Sequence, residues 1–495
     1  MNIHVLNNTT SCEARSGETL LAALVRGGFV IDAPCGGRGF CGKCGVRLVR
    51  GEVRPLAGRK GADSAGLVLA CQVYPETDIT VELPRHDASL RNEVDTPVRT
   101  VKAPARAGIA LDLGTTTLSA QLVDMDGNEA LDTYSELNDQ RVFGADVMSR
   151  INAAKNGKTG ELFTLINRQT DRTIRRFCEK WGISTLERLV VAGNTTMLHL
   201  FTNTDPSSMG EVPFTPVFLE TRQFGGQELS LPVQRLTVLP SIAAFIGGDI
   251  VSGLASLDIL AGADNSLLID IGTNGEMALF HGGRIYCCST AAGPALEGAE
   301  ISCGMGGVTG AISGVRRENG KLALTVIGGA EPRGICGSGL IDVMALMLRE
   351  GIIDETGALD DAYAEGFTIT GTISIINRDV RQYQLAKSAI LSGIKILCKN
   401  AGLDLAGIST VYIAGGLGFF INKENAIATG LLPAEFIDKI AVCGNLSLRG
   451  ALRCLGEDTA FLAACERIIA HSVNIDLAAD SAFMDEFAEN MLFYG

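Results

Sequence analysis

Two stretches of this chain carry the same pattern of apolar and polar positions. AGIALDLGTTTLSAQLVDMDGNEALDTY, from Ala107, reads as a buried strand, a Gly-Thr turn, a second strand, an Asp-Gly-Asn turn and a third strand. SLLIDIGTNGEMALFHGGRIYCCST, from Ser266, repeats strand, D-x-G-T turn, strand, turn, strand. Asp112 and Asp270 close the first strand of each copy and lie 158 residues apart, which suggests an internal duplication. Between the copies, LFTLINRQTDRTIRRFCEKWG has a helical period that stops at Gly182. VVAGNTTMLHLF and PRGICGSGLIDVMALM each place a glycine turn before an apolar helical run. TVYIAGGLGFF is a buried strand running into Gly415 and Gly416, with a helical segment, NKENAIATGLL, after it.

The first 85 residues follow a different plan. NIHVLN and SCEARS are short strand candidates joined by a turn at Asn7-Asn8. Ser16 is placed to cap a helix over GETLLAALVRGG that ends at Gly27-Gly28. A glycine-rich cysteine loop follows, then VRLVRGEVR as a strand pair or strand plus turn, and DITVEL as a last strand. Residues 86–105 are polar, hold Pro97 and Pro104 and lack a helical period, so they read as a linker. The expected organisation is 1–85, linker 86–105, and 106–495.

At 495 residues the chain is too long for one core. Hydrophobic residues make up 46% and charged residues 20%, which marks it as globular. No apolar run reaches the ~18 residues of a membrane span, and MNIHVLNNTT does not read as a secretory signal. A cytoplasmic, reducing location is expected, with most of the 14 cysteines as thiols. The net charge of -14 argues against a general nucleic-acid binder. Residues 1–85 carry ten Lys/Arg and eight Asp/Glu, so the acid excess lies downstream. Arg38, Lys43, Arg47, Arg50, Arg54, Arg59 and Lys60 form either an ordinary solvated face or a docking surface for an acidic electron partner.

Cys35, Cys41 and Cys44 are spaced C-x5-C-x2-C among Gly36, Gly37, Gly39, Gly42 and Gly45, and 26 residues separate Cys44 from Cys71. A 2Fe–2S cluster needs four converging thiolates, and only glycine lets the backbone wrap the core closely. The plant-type spacing is one residue shorter in its first gap. Zinc sites more often show two C-x2-C pairs, and free buried thiols are the remaining alternative.

The two D-x-G-T turns suit phosphate. Successive N–H groups at such a turn form an anion nest. Gly114 and Gly272 admit the phosphate to the backbone, and Thr115, Thr116, Thr117, Thr273 and Asn274 are its expected contacts. Asp112 and Asp270 repel phosphate directly, so they are assigned to Mg²⁺ or its water. Gly415 and Gly416 are expected beside the base of ATP. Glu276 and Glu297 are both open as general base. The chain lacks the G-x-x-x-x-G-K-[ST] loop.

The order of these motifs resembles the actin-like ATPase superfamily, and the first 85 residues resemble the β-grasp of 2Fe–2S ferredoxins. GADVMSRI, VVAGNTTMLHLF, LPSIAAFIGGDIVSGL, IDIGTNGEMAL, CSTAAGPALEGAEISCGMGG, PRGICGSGLIDVMA, NRDVRQYQLAKSAI and VYIAGGLG together resemble the ATP-dependent reductive activators of corrinoid proteins. That resemblance implies an α/β chain: a β-grasp ferredoxin domain, then a duplicated, ribonuclease H-like two-lobed ATPase. It implies a corrinoid protein of a methyltransferase system as partner and an electron donor to the cluster, and it leaves a homodimer open. It implies one-electron reduction of Co(II) to Co(I), driven by ATP hydrolysis. A plant-type cluster sits near about -400 mV, and each ~59 mV uphill is a factor of ten for one electron, so ATP has work to do. Because the first hairpin begins almost directly after Pro104, the chain is expected to be a short form that lacks the family's middle domain. The competing readings are an activator of a radical dehydratase and a non-catalytic ATP-binding redox sensor.

Overall fold

The structure is a computed structural model and describes all residues except 7–10, 30, 32, 34–36, 38, 40–41, 60, 64, 84–102, 128, 263, 417–420 and 494–495. The Asn7-Asn8 turn, Cys35, Gly36, Arg38, Cys41, Lys60 and nearly all of the expected linker lie outside the described residues.

The N-terminal unit is built from β1 (Asn2–Val5), β2 (Ser11–Glu13), α1 (Leu20–Arg26), β3 (Gly45–Arg50), β4 (Val53–Pro55), β5 (Leu67–Leu69), β6 (Val73–Pro75) and β7 (Ile79–Glu82). Its main sheet runs β2-β1-β7-β3-β5, with β4 and β6 as a separate pair. Ile3, Leu20, Leu24, Ile31, Val46, Val68 and Val81 fill its core. Thr19, not Ser16, caps α1, because its side chain is the one that accepts from the Ala22 amide.

The next unit comprises β8 (Ala107–Leu113), β9 (Thr117–Asp124), β10 (Glu129–Leu137), α2 (Val147–Ala153), α3 (Thr159–Trp181), β11 (Leu186–Gly193), α4 (Thr195–Phe201), β12 (Arg222–Gly225), β13 (Val233–Val238) and α5 (Gly248–Ser256). Its sheet order is β10-β9-β8-β11-β13-β12. Helix α3 ends at Gly182, which takes a left-handed conformation and returns its amide to the Cys178 carbonyl.

The last unit holds β14 (Ser266–Ile271), β15 (Gly275–His281), β16 (Arg284–Thr290), β17 (Ala311–Glu318), β18 (Lys321–Val326), β19 (Gly334–Ile335), α6 (Gly337–Arg349), β20 (Phe367–Thr370), β21 (Ile373–Ile375), α7 (Asn377–Ala401), β22 (Thr410–Ala414), α8 (Lys423–Ala428), β23 (Ile440–Gly444), α9 (Leu446–Gly456), α10 (Asp458–His471), β24 (Ser472–Asn474) and α11 (Ser481–Glu489). Its main sheet runs β23-β22-β14-β15-β16-β24. Both sheets share a five-strand core, β10-β9-β8-β11-β13 in the first and β16-β15-β14-β22-β23 in the second, while β12 and β24 are added at opposite edges. The first three strands are antiparallel and the fourth and fifth parallel to the first. This repeated topology is the structural form of the repeated sequence pattern.

Each sheet has an apolar layer of its own, one against α3 and α4, the other against α6 and α7. A further core lies between the sheets. Ala110, Val190 and Ala192 from one side and Leu268, Ala278 and Phe280 from the other meet on Ile250, Leu254, Leu446, Ala451 and Leu455 of α5 and α9. The two helices cross closely: a side chain on Gly450 would run into the Ser252 carbonyl and Cβ. Gly450→Ala is therefore expected to cost about 1–3 kcal/mol by overpacking and to lower the melting temperature of the two-lobed region, read by calorimetry.

Candidate functional site

The strand ends of the two sheets meet at their hairpin tips. Gly114 donates its amide to the Thr117 carbonyl (3.0 Å), and a Cβ at Gly114 would sit 2.7 Å from that oxygen, so the turn requires glycine. Gly272 donates to the Asn274 carbonyl (3.1 Å). The amides of Thr115, Thr116, Thr273 and Asn274 have no protein acceptor among the described residues. The first hairpin's carbonyls are all held from behind. Asn138 Nδ2 donates to Gly114 O (2.9 Å), its amide to Thr116 O (2.8 Å), and Arg150 to Thr115 O. With the carbonyls taken up and the amides without a protein acceptor, the turn has free donors of the kind an anion nest needs. The Thr115 hydroxyl points inward and accepts from Asn194 Nδ2 (2.8 Å). Thr116 and the buried Thr273 face each other and touch through their hydroxyls (2.9 Å), and both donate to Glu297, Thr116 at 2.8 Å.

Beneath the tips stand five buried carboxylates. Asp112 is gripped at both oxygens, by Ser447 Oγ (2.7 Å) and Asn445 Nδ2 (2.7 Å), from the start of α9. Burial pushes its carboxyl up, against the pull of those two bonds. Asp270 is pushed up to about 8 by burial and by the charges of Asp249, Asp112 and Glu297. Asp249, in the first turn of α5, is pushed up to about 7, by burial first and then by Asp112. Glu276 is raised by burial and by Asp249 and Asp270, and accepts from Asn274 Nδ2 (3.2 Å). Glu297 is raised by burial, while its threonine bonds and Arg150 lower it. So many buried anions fit a divalent cation. No three His, Cys, Asp or Glu side chains among the described residues are placed to hold an ion by themselves. Mg²⁺ takes one or two carboxylates and completes its shell with phosphate and water, and Asp112 and Asp270 are the candidates to hold it.

Sequence reasoning singled out Asp112, Asp270, Glu276 and Glu297 but missed Asp249. Its signal was an acidic residue directly after Gly247-Gly248, opening an apolar helix. The glycines at 415 and 416 divide. Gly415 has φ +88°, and a Cβ there would lie 2.7 Å from Asp270 Oδ1, so this glycine makes room for the carboxylate. Gly416 faces open space. Thr117 begins β9 and is half-buried.

In the N-terminal unit, Cys44 and Cys71 are buried with their sulfurs 3.3 Å apart, and the Cys71 contact lowers the Cys44 thiol to about 6. A close thiol pair with one member ready to ionise fits metal ligation. Gly37, Gly39 and Gly42 all have positive φ, and Gln72 Nε2 ties down the Gly39 carbonyl (2.7 Å). Cys35 and Cys41 lie outside the described residues. No disulfide forms among the described cysteines. Arg54 pairs with Glu76 (2.8 Å) and covers Tyr74, and Arg47 faces Glu82 (3.9 Å), so part of the basic face is used within the unit. Lys43 lies within electrostatic reach of Cys303, in the segment that follows Glu297.

Three family models match the chain: a 2Fe–2S iron–sulfur cluster binding domain over residues 3–76, the RACo middle region over 107–261, and the C-terminal ASKHA domain of RACo over 264–495. The match over 107–261 corrects the expectation that the middle domain is missing. That region is itself the first hairpin-bearing sheet, not an extra domain inserted before it, so a hairpin soon after Pro104 is its beginning. The corrinoid activation enzyme RamQ of Eubacterium limosum is 34% identical over 78% of this chain and 70% of its own length. The [Co(II) methylated amine-specific corrinoid protein] reductase of Methanosarcina barkeri is 32% identical over 69% and 68%. A solved reductive activator for corrinoid, iron–sulfur protein superposes with a TM-score of 0.73 at 29% identity, covering 99% of this chain and 98% of that one. No helix among the described residues is long and apolar enough to cross a membrane.

The raised carboxylates give a pH dependence with a definite sign. Asp249 and Asp270, at about 7 and about 8, bind more protons folded than unfolded. Their contribution to stability is therefore lost as pH rises from about 4 towards 8. Without nucleotide, thermal stability is expected to fall over that range, and to fall less in an Asp249→Asn, Asp270→Asn double variant. Mg-ATP, which takes the ionised carboxylates, is expected to raise the melting temperature more at about pH 8 than at about pH 6.

Proposed function

The chain belongs to the RACo family of reductive activators of corrinoid proteins, and we infer from that membership that it uses ATP to return a corrinoid partner from Co(II) to Co(I). One observation carries the nucleotide half of this reading: two duplicated hairpin tips meet through Thr116 and Thr273, with amides that have no protein acceptor among the described residues, over a buried group of carboxylates. When bound at Cys35, Cys41, Cys44 and Cys71, a 2Fe–2S cluster supplies single electrons at low potential. The remaining work is done by the chain's own side chains.

ATP enters between the tips with Mg²⁺. The amides of Thr115, Thr116, Thr273 and Asn274 receive phosphate oxygens, and the entering phosphate parts the contact of Thr116, Thr273 and Glu297. Asp112 and Asp270 would hold Mg²⁺ or its water, with Asp112 oriented by Asn445 and Ser447. Asp249 is the general base. It orients a water toward the terminal phosphorus and takes its proton as the new O–P bond forms and the bond to ADP breaks. Gly416 borders the space for the base of ATP. Because Asp249 rides on α5 and the Asp112 clamp on α9, events at the phosphates reach the helices between the lobes. Lobe closure changes how the corrinoid protein is gripped, and with it the ligation of its cobalt, which raises a potential that would otherwise be out of reach. An external donor reduces the cluster, in a cytoplasmic, reducing setting that suits the free thiols. A homodimer is compatible with this scheme but is not required by it.

Mixing the reduced protein, Mg-ATP and a Co(II) corrinoid protein is expected to produce the Co(I) visible spectrum, and omission of ATP to abolish it. Equal Co(I) yield without nucleotide would defeat the reading. Asp249→Asn is expected to slow phosphate release by about 10²-fold or more and Co(I) formation in parallel. The visible spectrum of the cluster should not change.

A further inference from the structure

Arg150 lies in the last turn of α2 and is fully buried. Its guanidinium donates to the carbonyls of Thr115 and Gly144 (3.3 Å) and to Gln140 Oε1 (3.4 Å), and rests on the Met197 sulfur (2.9 Å). All of these acceptors are neutral. Asp146 and Glu297 are the carboxylates that act on it through space, and neither is bonded to it. Asp146 is spent on the Ser149 amide (2.8 Å) and hydroxyl (2.6 Å), and Glu297 on the two threonines. A buried cation without a bonded anion keeps most of its desolvation cost. A chain that needed only hydrogen bonds to these carbonyls could use a neutral donor, as it does with Asn138 on the carbonyls either side.

We propose that Arg150 is a positioning residue for the triphosphate: it fixes the first hairpin by its Thr115 carbonyl and places a fixed positive charge behind the nest, favouring ATP over less charged nucleotides. This rests on reading the two hairpins as the phosphate site. The charge acts through the backbone and a low-dielectric interior, where it is screened little by water. It also offsets the carboxylates beneath, since Arg150 is the cation that lowers Glu297. The side chain itself stays out of the cleft, so it does not compete with Mg²⁺ for phosphate oxygens. The first hairpin thus differs from the second, whose Gly272-Thr273-Asn274 turn lies beside Glu276 and Glu297.

The test is a titration of the full, cluster-loaded chain with Mg-ATP, Mg-ADP and AMP. Arg150→Met is expected to weaken ATP on the order of tenfold or more, ADP less, and AMP by no more than about twofold. Arg150→Lys, which keeps the charge but loses the fork, is expected to weaken all three while keeping most of the ATP-to-ADP preference. A Met variant that binds all three as the wild type does, or weakens all three equally, overturns the proposal. Should the Met variant fail to fold, judged by circular dichroism and the cluster spectrum, the Lys variant decides: a lost preference there overturns it. A wild-type chain that binds none of the three overturns the phosphate-site reading itself, and this proposal with it.

Discussion

The crowding of carboxylates where the two sheets end is the constraint that the rest of the molecule serves. Asp112, Asp249, Asp270, Glu276 and Glu297 come from β8, α5, β14, β15 and the turn after β16. No local piece of sequence brings them together; the pairing of two sheets does. Burial is the largest influence on each of them, ahead of their mutual repulsion. Such an arrangement is unfavourable by itself. A divalent cation would relieve it, and would in turn make the same place hospitable to a triphosphate. The amides of the tips add a second, uncharged set of attractions that needs no rearrangement of charge.

The core between the sheets explains how the crowding is sustained. Helices α5 and α9 are packed on both sheets and against each other, close enough that Gly450 admits no side chain. From that shared core α5 presents Asp249 and α9 presents Asn445 and Ser447. Separating the lobes would expose this apolar layer. Apolar burial at roughly 25 cal/mol per Å² thus opposes charge repulsion directly above it.

The sequence disclosed most of this where one motif sits on one turn. The two hairpins, their order and their duplication were legible because strand, glycine and hydroxyl residues are contiguous. The cysteine framework was legible for the same reason, although only Cys44 and Cys71 fall among the described residues. Asp249 was not legible, because an acidic residue at a helix start is ordinary until the fold aims it at two others. That Gly415 also makes room for Asp270 Oδ1 was not legible, because it is a contact between parallel strands that spacing cannot show. Arg150 was hidden inside GADVMSRI, since nothing in the sequence says that an arginine in an amphipathic helix is fully buried. The missing-domain expectation failed for a related reason. A short interval before the first hairpin was taken as a deletion, when the hairpin itself opens the region supposed to be absent.

The segment between Glu297 and Cys303 ties the two chemistries to one another. Glu297 bridges the threonines of both tips, and six residues later Cys303 lies within electrostatic reach of Lys43 in the cysteine loop. The segment is held firmly on the way. Gly298 has φ +81° and no room for a side chain against Met305, and Ser302 donates both its amide (2.7 Å) and its hydroxyl (2.5 Å) to the buried Asp379 of α7. A tether this short and this well pinned cannot absorb much movement within itself. Movement at Glu297 is therefore passed on to α7, through Ser302 and Asp379, a helix packed along most of its length into the second lobe's core.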